Sequence, residues 1–205
     1  MSADGAIVFE TTRLIGYEFY SLTLSVLTPI ILRIMNTLWS EGSLLANIFP
    51  LFGLLAFTLL WLHAISGVFE EWLRKQIDFD FFVRWSSLVI FFSIILHPLL
   101  LLILVKFNFL AIYKGAPLAI ALGVVGLLLL LTYDIGKALQ KHDFFIRNWR
   151  GILIVSSIGT ILIFFHSLTL GSDLQSGFLR GLWIFYGTTA VLATIYTYGL
   201  KKFLD

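Results

Sequence analysis

Cysteine is absent from the 205 residues, and charge is scarce: Asp, Glu, Lys and Arg make up 13% of the chain, against roughly 25% in an ordinary soluble domain. Without thiols there is no disulfide, no thiolate nucleophile, no zinc–thiolate centre and no cysteine-held iron–sulfur cluster. With so little charge, a soluble fold could not hide the 59% of residues that are hydrophobic. Also lacking are a low-complexity segment, a linker and an internal repeat, so one domain over residues 1–205 is expected. The opening MSADGAIVFE has no basic n-region and no small-residue cleavage site, so the first apolar stretch is expected to be retained. Ser, His and acidic residues never meet at a spacing that suits a hydrolase.

What fills the chain instead is a series of apolar runs near the ~20 residues that cross a bilayer. They fall at about 17–38, 48–68, 84–106, 116–133, 150–170 and 178–200. The expected fold is therefore an all-α integral membrane protein, a bundle of six transmembrane helices. Pro29 and Pro98 lie inside spans and Pro50 at the start of one, which a helix in lipid tolerates because neighbours can satisfy the freed carbonyls.

Arg13, Arg74, Lys75, Arg84, Lys137, Lys141, Arg147, Arg150, Lys201 and Lys202 fall on the side of the N-terminus, and Arg33, Lys106, Lys114 and Arg180 on the other. Ten against four is the bias that places both termini in the cytoplasm of a multi-pass protein of the inner (plasma) membrane. The runs Glu70–Glu71–Arg74–Lys75 and Asp143–Arg147, and the neighbours Asp134 and Lys137, read as surface pairing with no chemistry of their own.

Three of the four histidines lie in spans: His63, His97 and His166. An ionisable residue in lipid is costly and marks a functional site by default. Spans three and five run in the same direction; His97 lies 13 residues past Arg84, and His166 lies 16 past Arg150. At 1.5 Å per residue these are depths of about 20 and 24 Å, matched to within a turn. Both fall in the outer half of the bilayer. His63, seven residues before Glu70 on an oppositely directed span, falls in the inner half. Two neutral imidazoles at one depth on different helices can hold a haem iron from both faces, which leaves no open position for substrate and suits electron transfer. Ser93 lies one turn before His97, and Ser156 and Gly159 precede His166 on span five; such small residues let a cofactor or a neighbouring helix approach closely.

The stretches FFVRWSSLVIFFSIILHPLLLLI and KHDFFIRNWRGILIVSSIGTILIFFHSL, each with a basic inner end and a histidine towards the outer end, resemble the third and fifth helices of the ferric reductase-like transmembrane domain family. Within it the chain is most similar to the MsrQ-type haem-binding subunits that serve periplasmic methionine sulfoxide reductase. The resemblance covers most of the chain and implies one haem b in the outer half, with His97 and His166 as axial ligands. It departs at the inner-haem positions, which here hold Val83 or Arg84 and Ile152 or Leu153. An inner haem is therefore not expected, though His63 could serve an inner cofactor. No Gly-rich dinucleotide fingerprint is present, so electrons must come from a separate donor. The resemblance points to FMN or a quinone on the inner side, at the basic face of Arg84, Arg147, Trp149 and Arg150, where guanidinium groups suit phosphate or carbonyl oxygens and Trp149 could stack on a flavin.

The expected function is thus a b-type haem electron-transfer subunit of an oxidoreductase system, passing electrons from a cytoplasmic-side donor to an acceptor outside, with lipid as its other partner and no nucleic acid. Two other classes compete: a transporter or channel lined by His63, His97 and His166, and a non-catalytic assembly subunit. Against the transporter, the spans carry no carboxylate apart from Glu18 near the inner edge.

Overall fold

A computed structural model describes residues 24–35 and 43–201, all of it helix, turn or loop. Helix α1 is Leu24–Met35. It is followed by α2 (Leu44–Val68), α3 (Glu70–Gln76), α4 (Phe79–Leu104), α5 (Phe109–Gly115), α6 (Pro117–Ala138), α7 (Asp143–Arg147), α8 (Trp149–Leu170) and α9 (Gly177–Ile195), which runs on as a π-turn through Leu200. Five of these, α2, α4, α6, α8 and α9 with its π-turn, are long and apolar enough to cross a membrane. The described residues are thus all-α, with five such helices among them. The first expected span, 17–38, is represented by α1 alone; its remainder, with Arg13 and Glu18, and also Lys202, lie outside the described residues.

The ends of the helices follow local chemistry. The Ser43 side chain accepts from the Ala46 N–H at 3.2 Å, so α2 begins at Leu44 rather than at residue 48. Asp78 accepts from the Phe81 N–H at 3.0 Å and starts α4 at Phe79, five residues earlier than expected. Pro117 opens α6, where its missing N–H costs nothing. The apolar runs of α2 and α4 continue through Pro50 and Pro98 without a break in the helix.

The bundle is built from two antiparallel hairpins of the same design. In α2–α3–α4 and again in α6–α7–α8, a long helix leads to a short charged one and returns as a second long helix. The short helices carry the pairs Glu70–Arg74, 2.9 Å, and Asp143–Arg147, 3.9 Å, at one end of the bundle, called here the basic end. The second charge pairing expected in α3 is not made as such: Glu71 lies 3.6 Å from Lys201 at the end of the last span. The expectation of no repeat therefore holds for residue types and fails for structure.

Within the second hairpin the backbones nearly touch. A Cβ on Gly159 would lie 2.8 Å from the Gly126 carbonyl, and one on Gly126 3.1 Å from the Gly159 carbonyl. Small residues at a membrane helix crossing allow this close packing, since between helices in lipid dispersion rather than water exclusion drives association. Gly159 is accordingly a helix-contact residue and not a seat for a macrocycle. The two hairpins meet through Ala56, Leu59, Ile90, Ile94 and Leu130, and α9 closes the bundle against α2 and α8. There Phe57, Trp61, Phe164, Trp183 and Tyr186 form the aromatic core, with Trp61 and Tyr186 stacked at 4.0 Å. Its polar atoms are all spent: Trp61 Nε1 donates to Thr189 Oγ1 and Trp183 Nε1 to Ser167 Oγ, both at 2.8 Å. The Tyr186 hydroxyl donates to the Ser25 carbonyl and so ties α1 to α9, while Arg33 of α1 pairs with Asp173 in the turn after α8.

Candidate functional site: two carbonyl-held histidines

His97 and His166 stand near the far end of the bundle, on α4 and α8. Each ring is held in the same way by the other helix of its own hairpin. His97 Nδ1 lies 2.9 Å from the Phe49 carbonyl, and His166 Nδ1 lies 2.7 Å from the Ala119 carbonyl. A carbonyl can only accept, so in each ring Nδ1 carries the proton and Nε2 keeps its lone pair. Four residues beyond each carbonyl, a glycine lies under the imidazole. A Cβ on Gly53 would come within 3.0 Å of the His97 ring, and one on Gly123 within 2.5 Å of His166 Nδ1. Carbonyl, glycine and histidine thus form one motif made twice, once per hairpin.

An Nδ1–H held by a backbone carbonyl is the usual way a metal-binding histidine is oriented and kept in the right tautomer. The pair therefore fits an iron porphyrin by donor chemistry: two neutral imidazoles, on different helices, each with Nε2 available. It does not fit a bare metal ion, since among the described residues no three His, Cys, Asp or Glu side chains gather into a metal-holding group.

His63 is held in the opposite sense. Its Nε2 lies 2.6 Å from Ser86 Oγ, and that hydroxyl already donates to the Phe82 carbonyl one turn back. The serine oxygen must then accept, so His63 carries its proton on Nε2, the nitrogen that His97 and His166 leave open. The expected separation of His63 from the other two is matched by this difference in chemistry.

The basic face of Arg84, Arg147, Trp149 and Arg150 is not drawn into one cradle. Arg147 is exposed and pairs with Asp143. Trp149 packs on α6, 5.7 Å from the Tyr133 ring and beneath Gly136. Arg150 donates to the Tyr198 carbonyl, in the closing π-turn, at 2.7 Å. Arg84 lies exposed in the second turn of α4, on the other hairpin.

In the half of the bundle towards the basic end, a cavity of about 240 Å³ separates the two hairpins and α9. Its wall includes His63, Tyr133, Asp134, Tyr198 and several hydroxyls, among them Ser87 and Thr197. Asp134 therefore belongs to a cavity wall, not simply to surface pairing with Lys137.

Sequence reasoning located the histidines and missed what holds them. The glycines were visible in the sequence, in LFGLLAF and ALGVVGL, each inside an apolar run. Only the pairing of α2 with α4 and of α6 with α8 gives them their meaning. These features define an all-α, membrane-type bundle with a paired histidine site. No family model, no curated protein and no solved structure matches the chain.

Proposed function

We propose that the chain is a haem-binding electron-transfer subunit of the ferric reductase-like, MsrQ-type kind, with His97 and His166 as the axial ligands of a single b-type haem. The observation that carries this reading is the duplicated motif, in which two imidazoles on different helices have Nδ1–H fixed by a backbone carbonyl and Nε2 left as a lone pair. A bis-imidazole haem supplies reversible one-electron chemistry without an open coordination site. The chain's own part is to fix both rings and to keep water away. Phe49 and Ala119 set the tautomers, Gly53 and Gly123 give the rings room, and Trp183, bonded to Ser167 beside His166, seals α9 against α8. The bundle is a six-span protein of the plasma membrane with both termini in the cytoplasm. Electrons come from a flavin or quinone at the basic end and leave to an acceptor beyond the far end. The exposed guanidinium group of Arg84 supports a donor that presents phosphate or carbonyl oxygens there.

The test is a reduced-minus-oxidised visible spectrum with a pyridine haemochrome assay on the detergent-purified wild type and on His97→Ala, His166→Ala and His63→Ala. The expected result is about one low-spin haem per chain, lost or turned high-spin in the first two variants and kept in the third. A colourless wild type after haem-sufficient expression, or haem indifferent to both axial substitutions, overturns the reading.

A further inference from the structure

In lipid the default partner of a serine or threonine hydroxyl is the carbonyl three or four residues back on its own helix, because nothing else nearby can accept. Thr58, Ser86, Ser157, Thr160 and Thr189 all take that option. Ser87 Oγ and Thr197 Oγ1 do not. Both are buried, and neither has a hydrogen-bond partner among the described residues. They lie on different helices, α4 and the π-turn after α9, and both belong to the wall of the 240 Å³ cavity. A buried hydroxyl left unpaired costs on the order of 1–3 kcal/mol, and two such groups on one wall point to a partner that the cavity itself contains.

The chemistry of that partner follows from the rest of the wall. Hydroxyl-bearing residues of α4, α8 and α9, the phenols of Tyr133 and Tyr198, the Asp134 carboxyl and the His63 imidazole are set into an otherwise largely apolar wall, with no fixed array of one charge. That suits small molecules that can both donate and accept. A volume of 240 Å³ holds about eight waters at the ~30 Å³ each occupies in the liquid. Asp134, Tyr133 and Tyr198 line the cavity towards the basic end, and Ile90, Ile94 and Leu130, which belong to the apolar seam between the hairpins, also line it.

From this we infer that the cavity is a water-filled inlet, open to the basic end only, which carries water and protons past Asp134 to His63 and stops at the Ile90–Ile94–Leu130 seam. It makes His63 the proton-exchanging histidine within the spans. The inference stands with or without a haem at His97 and His166, so it does not fail with that reading.

The chain has no cysteine, so single cysteines can be placed in it without removing any. Ser87→Cys, Thr194→Cys and Thr197→Cys would be compared with Phe92→Cys, whose site on α4 is 59% exposed on the outside of the bundle. Each would be treated with a membrane-impermeant methanethiosulfonate in right-side-out and in inverted vesicles. Because only a hydrated thiol ionises and reacts, the three cavity positions should react at least tenfold faster than Phe92→Cys, and only from the face bearing Arg74 and Lys75. Adding Ser156→Trp to Thr197→Cys should slow its reaction by a similar factor. Rates equal to that of the lipid-facing control, or reaction from the far face, overturn the inlet.

A second measurement needs no substitution. In water-edited solid-state NMR of ¹⁵N-histidine protein in bilayers, His63 should gain polarisation from water within threefold of the rate of exposed His142. Transfer to His63 at a tenth of that rate or slower overturns the inlet as well.

Discussion

The two halves of the bundle handle the same side chain in opposite ways. Towards the far end, His97 and His166 give Nδ1–H to backbone carbonyls and are wedged against glycines. Towards the basic end, His63 gives Nε2–H to a serine oxygen and faces a cavity rich in hydroxyls. A backbone carbonyl is fixed by its helix and can only accept, so it locks a tautomer. A serine hydroxyl rotates, donates and accepts, so it permits proton exchange. The difference teaches that a histidine's chemistry in a membrane bundle is set by the atom that holds its ring, and not by its depth alone.

The largest break in that contrast should come from Gly123→Val. Its Cβ would sit 2.5 Å from His166 Nδ1 and force the ring off the Ala119 carbonyl. Overpacking of this kind costs about 1–3 kcal/mol, and haem retention measured by the pyridine haemochrome assay should fall at least tenfold. Ser86→Ala should be smaller and confined to the other half. It removes the acceptor of the His63 Nε2–H, at a cost of up to about 1–3 kcal/mol that water from the cavity would reduce. Thermal unfolding in detergent should show that loss, while the haem spectrum stays as in the wild type. The smallest effect is expected from Gly67→Ala on α2. The nearest atom to its new Cβ is Thr197 Oγ1 at 3.9 Å, an ordinary contact. Relief of helical glycine should make this variant neutral or more stable by up to about 1 kcal/mol, with the haem unmoved. Destabilisation of Gly67→Ala as great as that of Gly123→Val would erase the distinction between a packed site and an open one.

Much of this was legible in the chain. Apolar runs located the five long helices to within a few residues, and caps account for the corrections at two starts: Ser43 moved that of α2 from 48 to Leu44, and Asp78 moved that of α4 from 84 to Phe79. The matched depths of His97 and His166 followed from residue spacing and a fixed helical rise. The faces of the helices were not legible. Ser156 and Gly159 could equally have turned to a cofactor or to a neighbour; Gly159 turned to Gly126, while Ser156 joined the cavity wall. Trp149, read as a free stacking surface, packs on Tyr133 and Gly136. The structural repeat escaped notice because the two hairpins share carbonyl, glycine and histidine positions but almost no residue types around them.

The sequence by itself determined that the chain is helical, that it carries spans suited to a membrane, and how far along its helix each histidine stands. These are properties of single segments, written in hydropathy and a 1.5 Å rise. Only the tertiary structure decided which nitrogen of each histidine is free, which glycines lie beneath the rings, and which hydroxyls meet around a cavity. A helix that is apolar on every face carries no stripe to say how it is turned. Lipid and protein interior are equally apolar to it, so its rotation is settled only when a neighbour's backbone comes close enough to accept a proton or exclude a methyl group.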